Sequence, residues 1–200
     1  DLMLEGIDFD LVYTPLRHLG YKAAMAGMSN IYAMNGTPRQ LLVGLGVSNR
    51  FEVEDLDELY AGLRMACERH NVDLVGGDTS ASLTGLTLAL TTIGDVAEAD
   101  LVGRDGAHDT DLVCVSGNLG AAYMGLQLME REKAVYLSQI DAAKTEAARR
   151  AIDFQPDFAG REYLLERFLK PEARRDIVEA LRAASLRPTA MIDVSDGLAS

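Results

Sequence analysis

The sequence predicts an α/β (α+β) protein, and three observations predict it. Short apolar runs with strand character recur along the chain, stretches with helical spacing of apolar residues separate them, and turns rich in glycine and aspartate join the two. Residues 1–9 alternate, with Leu2, Leu4 and Ile7 or Phe9 apolar, and read as a strand. Pro15 opens a helix over residues 15–34, as its preference for a first turn allows. The small residues of that helix, Gly20, Ala23, Ala24, Ala26 and Gly27, predict close packing on a sheet. Asn35-Gly36-Thr37-Pro38 reads as a turn and residues 40–47 as a buried strand. Residues 54–70 are the clearest helix: Leu56, Leu59, Tyr60, Leu63, Ala66 and Cys67 recur at helical spacing. Acidic residues crowd its start and Arg64 and Arg69 lie towards its end, as the helix dipole favours.

Residues 72–75 form a short strand running into a Gly76-Gly77-Asp78-Thr79 turn, and residues 83–96 are a further β run. The character changes over 97–107, which places a boundary between an N-terminal domain at 1–97 and a second domain at 98–200. In the second, residues 112–116 are a strand, Gly117-Asn118-Leu119-Gly120 a turn, and a helix follows to about Arg131. Residues 133–160 are polar and carry little pattern. Pro171 starts a helix with Ile177, Val178 and Leu181 inward, and residues 190–194 are a strand ending in Asp193-Val194-Ser195-Asp196-Gly197.

Composition narrows the function. The chain is 48% hydrophobic and 25% charged, enough to bury a core. A net charge of -12 argues against nonspecific nucleic-acid binding, which needs a positive footprint. No apolar stretch approaches a membrane span, so no membrane partner is expected and the cytoplasm is the expected location. Cys67 and Cys114 form no C-x-x-C and read as small core hydrophobes. The chain opens on Asp1 inside an apolar run and stops just after Asp-Gly-Leu, so both ends read as cuts through a longer protein.

The chemistry lies in the carboxylates. Asp1, Asp78 and the pair Asp193 and Asp196 each sit where an apolar run ends, with glycine next to Asp78 and Asp196. Hard oxygen ligands suit Mg²⁺, which is held by one or two carboxylates together with substrate phosphates. Glycine lets a backbone approach those phosphates. The pattern therefore reads as ATP–Mg²⁺ phosphotransfer. Taken singly, each residue has a plainer reading: Asp78 as a turn cap, Ser195 or Asp196 as a helix cap, Tyr60 as core, Lys22 as a solvated helix residue. His18, His70 and His108 are isolated and form no catalytic constellation. The functional reading rests on co-occurrence.

The ordered motifs carry a resemblance. They are Asp1-Leu-Met-Leu-Glu-Gly-Ile-Asp-Phe9, Gly20-Tyr21-Lys22 with Ser29-Asn30-Ile31-Tyr32-Ala33-Met34, Val75-Gly-Gly-Asp-Thr79, Gly103-Arg104-Asp105-Gly106-Ala107, Val115-Ser-Gly-Asn-Leu-Gly120 and Ala190-Met-Ile-Asp-Val-Ser-Asp-Gly-Leu198. In that order the chain resembles the thiamine-monophosphate kinases. Their superfamily, called PurM-like, includes aminoimidazole-ribonucleotide synthetase, selenophosphate synthetase and the hydrogenase-maturation protein HypE. The resemblance implies phosphorylation of thiamine phosphate by ATP to thiamine diphosphate. It implies an N-terminal α/β domain whose sheet pairs across a homodimer into a barrel, then a C-terminal α/β domain, truncated here, with ATP between the domains. It further implies several Mg²⁺ ions on Asp1, Asp78, Asp193 and Asp196, with Asn30 at a fifth metal position. Nucleotide contacts would come from Tyr60, Gly77, Asp78, Arg104 and Ser195. Two positions depart from the pattern. Asn30 stands where the family has a metal-bridging Asp, which lowers charge and metal affinity, and Asp8 stands near the acceptor where the family often has His. The competing expectations are another ATP-using enzyme of the superfamily and a non-catalytic nucleotide-binding homologue.

Overall fold

The computed structural model describes residues 1–198. They form two compact units: residues 1–117 with 172–198, and residues 118–171. The fold is mixed α/β. The first unit holds four strands, β1 (Leu2–Leu4), β2 (Thr37–Val47), β3 (Asp73–Ala81) and β4 (Thr87–Asp95), in the order β1-β4-β2-β3. β4 pairs antiparallel with β1 and β2, whereas β2 and β3 run parallel. The parallel pair needs a crossover, which α2 (Val53–His70) supplies.

Alternation along the strands decides which face is covered. Leu41, Val43 and Leu45 of β2 and Leu88 and Leu90 of β4 are buried in one core with Leu19, Met25 and Met28 of α1 (Leu16–Ala33) and Leu59 and Leu63 of α2. The opposite face carries Leu2, Leu4, Ala89 and Ile93, all exposed. Glycines set the helix contact. A methyl on Gly20 would lie 2.0 Å from the Leu59 carbonyl oxygen, and one on Gly62 would lie 1.9 Å from that of Arg17, so α1 and α2 cross at glycine distance. α2 begins with a capping box between Glu52 and Asp55 and ends on Asn71 in the left-handed conformation.

Helix α6 (Arg175–Ala183) also belongs to this unit. Ala173 and Val178 join its core, Tyr21 donates its hydroxyl to Glu172 at 2.8 Å, and Arg182 donates to Asn35 and Thr37. Tyr32 and His70 form a buried hydrogen-bonded pair at 2.9 Å. The second unit is helical: α3 (Ala121–Ala142), α4 (Glu146–Arg150) and α5 (Glu162–Leu169). Gly125 and the backbone of Leu164 bring α3 and α5 together.

Several expected elements differ. β1 is shorter than the alternation suggested, because Gly6 at φ +82° turns the chain and its amide donates to Phe9. Thr37 and Pro38 belong to β2 rather than to a turn, with a bulge between Pro38 and Gln40 that accommodates the proline. Gly76-Gly77-Asp78-Thr79 is no turn. It lies inside β3, whose pairing with β2 runs on to Ala81. α3 continues well past Arg131, α4 lies in the stretch that carried little pattern, and α5 follows just beyond it. Residues 112–116 and 190–194 form no strand. Leu112 and Val113 are 91% and 100% exposed, so their backbone has no neighbouring ladder to join. For the same reason Cys114 is exposed, while Cys67 is buried as expected, with burial pushing its thiol up to about 11.

Candidate active site

The sheet register places the N-terminal carboxylates. Asp1 exchanges two backbone hydrogen bonds with Leu90, Leu90 is opposite Val43, and Val43 is opposite Gly77. One residue on, Leu2, Ala89, Gly44 and Asp78 form the adjacent row. Asp1 therefore stands at the β1 edge, in the row whose other members include the buried Leu90 and Val43. Asp78 stands at the β3 edge, in the row of the uncovered face. Three strand spacings separate the edges, on the order of 14 Å along the sheet. Among the described residues no three His, Cys, Asp or Glu side chains gather to hold one ion. The carboxylates are separate stations.

Each station has its own local order. The Asn30 carboxamide of α1 donates to Asp1 Oδ2 at 2.9 Å and to the Ala26 carbonyl at 3.4 Å. This contact joins two of the sequence-predicted site residues directly. Asp78 is exposed, and its Oδ1 accepts from the Thr79 amide at 2.8 Å. Gly77 before it is obligatory: an added methyl would sit 1.8 Å from the Val43 carbonyl oxygen. Asp193 is half-buried, and its Oδ2 is sealed from solvent with no hydrogen-bond donor among the described residues. Burying a carboxylate oxygen without a partner is costly, so this atom is suited to a cation. Ser195 and Asp196 are exposed in the same loop, which is tied to residues 101–111 by the Met191 amide on the Gly103 carbonyl and by Thr189 on Asp111 at 2.6 Å. Arg104 is exposed in that partner segment. Tyr60 is half-buried against the core.

The turn after β1 is held from several sides. Asp8 Oδ2 accepts from the Leu4 amide at 2.7 Å. Glu5 accepts from the Leu86 amide at 2.8 Å and pairs with Arg50. Sequence reasoning set Lys22 aside as solvated. It is half-buried instead; burial lowers its pKa and the Asp8 carboxylate opposes that shift. The signal was its four-residue spacing from Ala26 and Asn30, which puts all three on one stripe of α1.

Residues 1–96 match the family model of the AIR synthase related protein, N-terminal domain. The thiamine-monophosphate kinase of Bacillus subtilis is 30% identical over 201 residues, covering 100% of this chain and 55% of its own length. The solved thiamine-monophosphate kinase of Aquifex aeolicus superposes with a TM-score of 0.77 at 31% identity, covering 99% of this chain and 58% of that one. A further structure, described as AaThiL complexed with AMPPCP and TMP, gives 0.72 at 30% identity over 90% of this chain and 50% of that one. The chain thus spans about half the length of the relatives it matches.

Proposed function

We propose that the chain belongs to the thiamine-monophosphate kinase family, as its likeness to those proteins supports, and that the whole protein transfers the γ-phosphoryl group of ATP to thiamine phosphate, giving ADP and thiamine diphosphate. The observation that carries this reading is the set of separated carboxylate stations on one unit, Asp1, Asp78 and Asp193, with the Asp193 Oδ2 left without a donor. A triphosphate facing an acceptor phosphate is a long line of negative charge, and several stations suit it better than one cage. All three stations, with Asp196, offer the hard oxygens that Mg²⁺ takes. When bound, Mg²⁺ screens the charges of the two substrates so that they can approach.

The residues divide the remaining work. Gly77 admits the backbone approach that a phosphate needs, Arg104 is free in solvent to fork onto phosphate oxygens, and Tyr60 and Ser195 complete the nucleotide contacts. Asp8 faces the acceptor. An acceptor phosphate oxygen is already nucleophilic, so no side chain has to remove a proton. The exposed apolar face of the sheet, with Leu2, Leu4 and Ile93, supports a homodimer closed through that face. The end of the family match at residue 96 supports a first domain closing near residue 97, with residues 98–200 beginning the second. No described helix is long and apolar enough to cross a membrane, and we place the protein in the cytoplasm.

One observation favours a second reading, a nucleotide-binding homologue without turnover. Asn30 spends its carboxamide on Asp1 and brings no charge of its own. The deciding experiment supplies the full-length protein with ATP, Mg²⁺ and thiamine phosphate and measures thiamine diphosphate. Product that disappears with Asp193→Ala supports the kinase. ATP binding without product supports the second reading, and ADP release driven by an amidine substrate instead points to a ring-closing synthetase.

A further inference from the structure

Three polar groups of the first unit converge on one point of α1. A methyl on Gly27 would lie 2.5 Å from Thr92 Oγ1 and 3.8 Å from Asp1 Oδ2. Asn30, nearly one helical turn after Gly27, donates its carboxamide to the same Asp1 oxygen at 2.9 Å. β4 brings Thr92 to this point. Asp1 exchanges backbone hydrogen bonds with Leu90, and Thr92, two residues further along β4, lies on the same face as the buried Leu90. The Thr92 oxygen is sealed from solvent and has no hydrogen-bond partner among the described residues. A buried hydroxyl left unpaired is costly, and its proton can turn towards an acceptor. Asp1 Oδ2 is such an acceptor. It takes one hydrogen bond among the described residues, although an ionised carboxylate oxygen has room for two. Asp1 is exposed at the sheet edge, so its carboxylate can adjust to meet the hydroxyl.

We propose that Thr92 is a positioning residue for the Asp1 station. With Mg²⁺ on that station, the Thr92 hydroxyl donates to Asp1 Oδ2 beside the Asn30 carboxamide, and Oδ1 is left for the ion. Carboxylates that hold metals depend on such hydrogen-bond partners for their direction. The inference rests on the Mg²⁺ reading of Asp1 and adds a residue to it.

The test uses the full-length protein, with Mg²⁺ as the probe, titrated calorimetrically in the absence of turnover. Thr92→Val replaces the hydroxyl with a methyl of similar size and is expected to weaken Mg²⁺ binding about 10- to 100-fold, the usual loss when a partner of a metal ligand is removed. Thr92→Ser keeps the hydroxyl and is expected to bind like the parent. In an Asp1→Asn background Thr92→Val is expected to change nothing further. Without Mg²⁺, Thr92→Val is expected to unfold at the same urea concentration as the parent or a higher one, because an unpaired hydroxyl gives up no bond on removal. Parent-like Mg²⁺ affinity in Thr92→Val overturns the role of Thr92, as does equal weakening in Thr92→Ser. A Thr92→Val protein that unfolds earlier without Mg²⁺ also overturns it, because the hydroxyl would then already be bonded. Asp1→Asn that binds Mg²⁺ like the parent overturns the Asp1 station itself, and the inference with it.

Discussion

β2 and the segment 112–116 are built from similar residues and end differently. Leu41-Leu42-Val43 lies in a strand paired on both sides, with Leu41 and Val43 fully buried. Leu112-Val113 lies in an irregular segment and is almost wholly exposed. The difference lies in the neighbours. Strand propensity is a statement about fitting a pleated, half-buried surface, and it takes effect only where a ladder and a covering layer exist. β2 has β3, β4 and two helices; residues 112–116 have none of these among the described residues.

The largest test of that contrast is a paired truncation. Leu41→Ala should cost about 2–5 kcal/mol in a urea unfolding experiment, because it empties a packed site. Leu112→Ala should stay within about 0.5 kcal/mol. Comparable losses would mean that residues 112–116 are packed in solution. The next test adds a methyl instead of removing one. Gly62→Ala drives a side chain to 1.9 Å from the Arg17 oxygen and should cost about 1–3 kcal/mol as α1 and α2 are forced apart. Gly106→Ala makes a similar collision, 2.1 Å from the Thr189 oxygen, but its partner is a surface loop. The loop should shift at little global cost, with faster hydrogen exchange at the Met191 amide as the readout.

A pH experiment probes the core side alone. Burial holds the His70 imidazole below its ordinary range; Arg175 and Arg69 push the same way and Glu172 and Glu179 oppose them. The unfolded chain therefore takes up a proton first. Stability should be full above about pH 6.5 and decline as the pH falls from there. His70→Gln should flatten that slope of the unfolding midpoint, and an unaltered slope would assign the pH dependence elsewhere. The smallest expected effect is at the site: Asn30→Asp should tighten Mg²⁺ binding, measured by titration, by restoring a charge beside Asp1. Unchanged affinity would show that position 30 does not reach the ion.

The helices α1 and α2 were legible because amphipathic spacing, Pro15 and an acidic first turn act within one segment. β3 was misread at Gly76-Gly77 because consecutive glycines look like a turn, whereas here Gly77 lets β3 close on the Val43 backbone. α5 went unread because its stretch is short and its close approach to α3, at Gly125, is not a local pattern. The site was legible as a list of carboxylates but not as a geometry. Register, which no local pattern encodes, sends Asp1 and Asp78 to opposite edges. Lys22 was set aside because a lysine on a helix is ordinarily solvated, and its place on the Ala26–Asn30 stripe was not weighed.

The central claim is that carboxylates at opposite sheet edges serve one phosphoryl transfer. Its most direct test measures thiamine diphosphate formation by the full-length protein, with Mg²⁺ titrated, for the parent, Asp1→Asn and Asp78→Asn. The account predicts that either substitution lowers kcat/KM by about 100-fold or more, the loss of one charged contact in the transition state, and that the Mg²⁺ needed for half-maximal rate rises in both. Parent-like turnover and Mg²⁺ dependence in either variant would contradict it.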